Sequence, residues 1–142
     1  MLFDSDDFKV IRTKYWDIHQ DWEVPIPGFF IVALNREGVK SVGDLAMEEW
    51  MELGELLKRL RQGMKEVLGI NEVYLFQNED SSHGFHLWVF PRLPWMEEFG
   101  RKIESVRPII NYAKENMVTE EIRKQVKDWV DRMREWMQKQ TL

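Results

Sequence analysis

The apolar residues Trp50, Leu53, Leu56, Leu57, Leu60, Met64, Val67 and Leu68 recur at intervals of three and four, which predicts one amphipathic helix over 45–68. Asp44 or a neighbour stands where an N-cap is needed, Glu48 and Glu49 suit the positive end of the helix dipole, and Gly69 is placed to stop the helix in the left-handed conformation. Shorter runs signal strands. Residues 8–13 predict a first strand after an acidic lead-in over 1–7, 29–34 an unbroken apolar strand covered on both faces, and 73–77 and 85–90 a close pair separated by the polar loop 78–82. Residues 16–28 are aromatic, acidic and punctuated by Pro25, Pro27 and Gly28, a composition that predicts a turn rather than regular structure. Pro91 and Pro94 close the last strand, since proline cannot donate to a ladder. Beyond them Phe99, Ile103, Val106 and Ile110 keep helical spacing, with Pro108 as a kink or break. Thr119 then caps a final helix whose stripe is Ile122, Val126, Trp129, Val130, Met133 and Trp136 or Met137.

These elements imply an α+β protein: an α+β core over 1–94 and a C-terminal helical extension of the same domain over 95–142. At 142 residues, 44% hydrophobic and 32% charged, one core is expected, and seven Trp and eight Phe supply large apolar area for it. The absence of Cys excludes disulfides, thiolate chemistry and Cys-ligated zinc, and with no charged-then-apolar leader the expected location is cytoplasmic. The longest apolar run, 29–34, is far short of the roughly 20 residues of a membrane helix, so no membrane partner is expected. A net charge of -5 without a single-sign block argues against a nucleic-acid polymer as partner. A small phosphorylated ligand needs only a local hydrogen-bonding site and stays open.

The strand over 85–90 carries the candidate chemistry. Strand alternation puts Gly84, His86, Trp88 and Phe90 on one face and Phe85, Leu87 and Val89 on the other. The second set reads as core. The first mixes a residue without a side chain, an imidazole and an indole, which suits a pocket beside His86 walled by Trp88, with Asn78, Ser81, Ser82 and His83 at its mouth. The plainer alternative is a half-buried strand histidine held by a neighbour. His83 and His86, three apart, are expected on opposite faces, so no shared metal is expected, and no cofactor-binding motif is present. His19 reads as an isolated surface or loop histidine, and the pairs Glu48 with Glu49, Glu97 with Glu98 and Glu120 with Glu121 as solvated helix starts.

The order of features from about Phe8 to Arg92 resembles the histidine triad (HIT) superfamily of nucleotide hydrolases and transferases. The run Pro27-Gly28-Phe29-Phe30-Ile31-Val32-Ala33-Leu34-Asn35-Arg36 is similar to the family's Pro-Gly-His strand, and Ser41-Val42-Gly43-Asp44-Leu45 to its helix entry. Anchoring the family's His-φ-His-φ-His signature on Pro91-Arg92 puts the three family histidines at Gly84, His86 and Trp88, so only the central one is kept. The resemblance implies an antiparallel sheet with the long helix packed on it, a homodimer, and a small nucleotide-like ligand. It implies His86 as the nucleophile, forming a nucleotidyl-imidazole, and gives Ser81 a phosphate contact and Asp21 and Trp22 the nucleoside, the acid accepting from ribose hydroxyls. His83 replaces a lost histidine only through a bulge or register change. If the helical extension dimerises, Trp129 and Trp136 are the expected contacts.

Three functions fit these readings. One is a nucleotidyl hydrolase or transferase acting through His86 on a nucleoside phosphoramidate or dinucleoside polyphosphate. Another is a catalytically inactive module that holds a ligand against Trp88. The last is an interaction protein in which Trp88 packs the pocket shut.

Overall fold

The computed structural model describes residues 5–139. Its centre is a five-stranded sheet of order β1-β2-β3-β5-β4 in which every neighbouring pair is antiparallel. The strands are β1 (Lys9–Arg12), β2 (Trp16–Gln20), β3 (Phe30–Leu34), β4 (Val73–Gln77) and β5 (His86–Pro91). Helix α1 (Met47–Leu68) joins β3 to β4, and α2 (Ile103–Asn116) and α3 (Glu120–Lys139) follow β5. The α+β class and the long helix packed on an antiparallel sheet are as the sequence implies.

β2 lies inside the segment expected to be irregular. Trp16, Ile18 and Gln20 are buried while Asp17 and His19 are half-buried, which is strand period. The prolines act only after Gln20, where 21–29 forms a turn closed by that side chain. The fully buried Gln20 amide donates to the Ile26 carbonyl at 2.7 Å, and its oxygen accepts the Gly28 N–H at 3.1 Å. Gly28 sits at φ 84°, open to glycine and costly for other residues.

The faces of the sheet are covered unequally. On one, Trp16, Ile18, Phe30, Val32, Phe85 and Val89 meet Leu53, Leu56, Leu60 and Met64 of α1 and Val126, Val130, Met133 and Met137 of α3. On the other, Phe29, Ile31 and Phe90 pack with Val106, Ile109, Ile110 and Ala113 of α2. Among the described residues, none from a helix lines the cavity at the Ala33 and His86 end of that second face.

The details depart from the sequence reading at several points. α1 begins at Met47 with Ala46 as its N-cap, so Asp44 does not cap it; the Glu49 carboxylate accepts the Ala46 N–H at 2.7 Å instead. Glu49 is not a solvated helix start: it is buried and bidentate with Arg36, at 2.6 and 2.9 Å, which holds its carboxyl below the ordinary range. Gly69 ends the helix at φ 69°, and Thr119 Oγ1 accepts the Ile122 N–H in the first turn of α3. α2 runs through Pro108 without a break, and Phe99 belongs to the 3-10 turn before it. Trp129 and Trp136 are used within the chain: Trp136 donates to the Arg59 carbonyl and lies over Gly63, and Trp129 packs at Gly28. The edge strand β4 leaves Leu75 exposed. No helix among the described residues is long and apolar enough to cross a membrane.

Candidate functional site

A cavity of about 290 Å³ occupies the open end of the second face, with His19, Asp21, Trp22, His83, His86 and Trp88 among its walls. Register explains the assembly. Ala33 of β3 pairs with Asp17 and with His86, and Ile31 pairs with His19 and with Trp88, so two transverse rows stand on one face. Ile31 and Ala33 form the floor, and the short Ala33 side chain leaves room above it.

β5 begins only at His86; residues 79–85 are a series of bends. Strand alternation therefore does not extend back to His83, which corrects the expectation that the two histidines point apart. Their ring centroids lie 5.9 Å apart in an edge-on arrangement, and both line the cavity. The Ser81 hydroxyl accepts the His83 N–H at 3.1 Å, which ties the bend that presents this ring. Asn78, Ser81 and Ser82 do not line the cavity themselves.

The His86 ring is held by its own approach loop. Its Nδ1 lies 2.8 Å from the Gly84 carbonyl. A carbonyl only accepts, so Nδ1 carries the proton and, in the neutral ring, the lone pair resides on Nε2. Trp88 does not fill the space beside it. Its ring meets Phe29 and Phe76 edge-on, at 5.3 and 6.4 Å, and stands as a wall.

At the far end Asp21 Oδ2 accepts the Val24 N–H at 2.8 Å. Burial nevertheless raises the Asp21 carboxyl to about 6, the Val24 amide opposing. Trp22, 54% exposed, stacks on His19 at 4.5 Å and 19°. Burial, reinforced by the charge of His86, lowers the His19 imidazole to about 4. His19 is the site residue the sequence reading missed. The signal was the alternation of Asp17, His19 and Asp21 against buried Trp16, Ile18 and Gln20.

A larger crevice of about 620 Å³ lies between the end of α1, Trp95, Tyr112 and Trp129. It holds no histidine; the smaller cavity holds the candidate chemistry. Among the described residues no group of three His, Asp or Glu is arranged to hold a metal ion.

No family model matches the sequence, and no curated protein matches it. Solved structures do. A hypothetical histidine triad nucleotide-binding protein from Sulfolobus tokodaii superposes with a TM-score of 0.62 at 14% identity, over 93% of this chain and 84% of that one. A histidine triad protein from Marinobacter aquaeolei gives 0.60 at 14%, over 90% and 92%. A Hit-like protein involved in cell-cycle regulation from Bartonella henselae, solved with an unknown ligand, gives 0.58 at 13%, over 91% and 85%. At such identities the likeness speaks for the fold alone: this chain has the histidine triad (HIT) fold.

Proposed function

We propose that this protein binds a nucleotide in the cavity at His86 and acts on it as a nucleotidyl hydrolase or transferase. The observation that carries the reading is the Nδ1 contact to the Gly84 carbonyl, which leaves Nε2 free as a nucleophile. In the reaction the Nε2 lone pair forms a bond to the α-phosphorus as the bond from phosphorus to the leaving group breaks. The leaving group departs with that electron pair and takes a proton from solvent. Water then adds to phosphorus, the bond to His86 breaks with its pair returning to Nε2, and the water proton passes to solvent.

Charge selects between the two substrate classes. Asp21 and Glu23 line the cavity and no Lys or Arg does. Clustered anionic charge on a polyphosphate is opposed there, whereas a phosphoramidate presents one anionic phosphoryl group and a neutral or cationic amine. A nucleoside phosphoramidate is therefore the favoured substrate, with Asp21 accepting from the ribose and Trp22 beside the base.

Wild type is expected to turn over a fluorescent adenosine phosphoramidate, and His86→Ala to lose at least about 1,000-fold in kcat/KM. Turnover that survives His86→Ala contradicts the reading. A second reading, an inactive module, is favoured by Gly84 and Trp88 standing where two supporting imidazoles are absent. It prevails if wild type shows no turnover while adenosine monophosphate raises its melting temperature.

A further inference from the structure

The chain has three histidines, and all three line the one cavity. They arrive from separate segments: His19 from β2, His83 from the bends before β5, and His86 from β5 itself. The register sets His19 in the row of Ile31 and Trp88, next to the row of Asp17, Ala33 and His86. His19 thus faces His86 across the small floor of Ile31 and Ala33, two strands away on the same face.

His19 does not behave as a packing histidine. A buried imidazole that serves the fold normally has its N–H bonded to protein. Neither ring nitrogen of His19 has a hydrogen-bond partner among the described residues, and neither is sealed away from the cavity. The Trp22 stack fixes the plane of the ring while leaving both nitrogens unused. Held neutral by burial, the ring offers one donor and one acceptor near pH 7.

The lining supplies a reason for that donor. An anionic phosphoryl group against Nε2 of His86 finds no Lys or Arg in the walls, and two carboxylates, Asp21 and Glu23, oppose it. Its hydrogen bonds must come from imidazoles, indole N–H groups and backbone amides. Gly84 has no side chain to give one, which leaves the imidazoles and the indole N–H groups of Trp22 and Trp88 as the side-chain donors of the lining.

We propose that His19 is a positioning residue of this site: its imidazole donates a hydrogen bond from β2 to a phosphoryl oxygen of the group held against His86. The proposal rests on the reading of His86 as the centre of a nucleotide site. Because the ring is neutral well above its titration, its contribution is flat between about pH 6 and 8.

The test follows the imidazole nitrogen resonances of the ¹⁵N-histidine-labelled wild-type chain during addition of adenosine monophosphate, alongside kcat and KM for His19→Ala and His19→Gln. Adenosine monophosphate is expected to move the ring signals of both His86 and His19. His19→Ala is expected to lose about 100-fold in kcat/KM, mostly in kcat, with an unchanged pH profile. His19→Gln, whose amide N–H also donates, is expected to recover most of that loss. Movement of His86 without His19, wild-type kcat/KM in a folded His19→Ala, or a Gln variant as impaired as the Ala variant each overturns the role of His19 and leaves that of His86 standing. If the Ala variant does not fold, or wild type binds without turnover, the wild-type resonances decide. Should adenosine monophosphate move neither ring and no turnover occur, the reading of His86 falls and the proposal falls with it.

Discussion

The two faces of the sheet are built by the same strands and treat their polar groups in opposite ways. Toward α1 and α3 the polar side chains of β2 are paired: Trp16 Nε1 donates to the Glu49 carbonyl at 2.9 Å, and Gln20 bonds both sides of the turn it closes. Toward the cavity, the residues between them in sequence include His19 with unpartnered nitrogens and, next along, Asp21 with a carboxyl raised to about 6. α1 and α3 seal the first face, whereas α2 covers only the Phe90 end of the second. Groups withheld from water without full compensation cost stability, so His19 and Asp21 are the groups of β2 and its turn that a ligand bound in the cavity would compensate.

The largest expected effect breaks the sealed face and leaves the cavity alone. A Cβ at Gly63 would stand 2.5 Å from the Trp136 ring and 2.8 Å from Met133, so α1 and α3 meet there with no room to spare. Gly63→Val is expected to cost about 3 kcal/mol or more through overpacking, read as a lower urea midpoint, with nucleotide binding retained where the chain is folded. An intermediate effect couples the faces. Gln20→Leu leaves the Ile26 carbonyl and the Gly28 N–H without their partners, costing about 1–3 kcal/mol, and slackens the turn that carries Asp21 and Trp22. Calorimetry should find weaker adenosine monophosphate binding in Gln20→Leu and unchanged binding in Gly63→Val.

The smallest effect concerns protonation and has the opposite sign. The Asp21 carboxyl titrates near 6 in the fold, against about 4 in an unfolded chain. Its protonated form therefore favours the native state: the contribution is fully present below about 4 and is lost as pH rises through about 6. Asp21→Asn removes that loss. The variant is expected to melt higher than wild type near pH 7, with the difference shrinking toward pH 4, and to bind the nucleotide less tightly. A variant less stable than wild type near pH 7 contradicts the assignment of a strained carboxylate.

Much of the fold was legible because long elements report their own period. The stripe from Trp50 to Leu68 specified α1, Gly69 its stop and Thr119 the start of α3, since each depends on local chemistry. β2 was not legible. Its five residues alternate correctly but run directly into Pro25, Pro27 and Gly28, and the composition of the turn outweighed so short a period. Losing β2 concealed His19, because a residue in a presumed loop has no predictable face. His83 was obscured for a related reason: alternation was projected from β5 back into bends where it does not apply. The buried pair of Arg36 with Glu49 lies 13 residues apart in sequence and is set by tertiary packing, which adjacent charges on a helix do not reveal.

In the proposed reaction Nε2 of His86 becomes bonded to phosphorus during turnover. Acid-free quenching of wild type during turnover of adenosine phosphoramidate, followed by peptide mass spectrometry, tests it most directly. An adenylyl group is expected on the peptide that contains His86, absent in His86→Ala. Sustained turnover with that peptide unmodified, or the adenylyl group on any other residue, would contradict it.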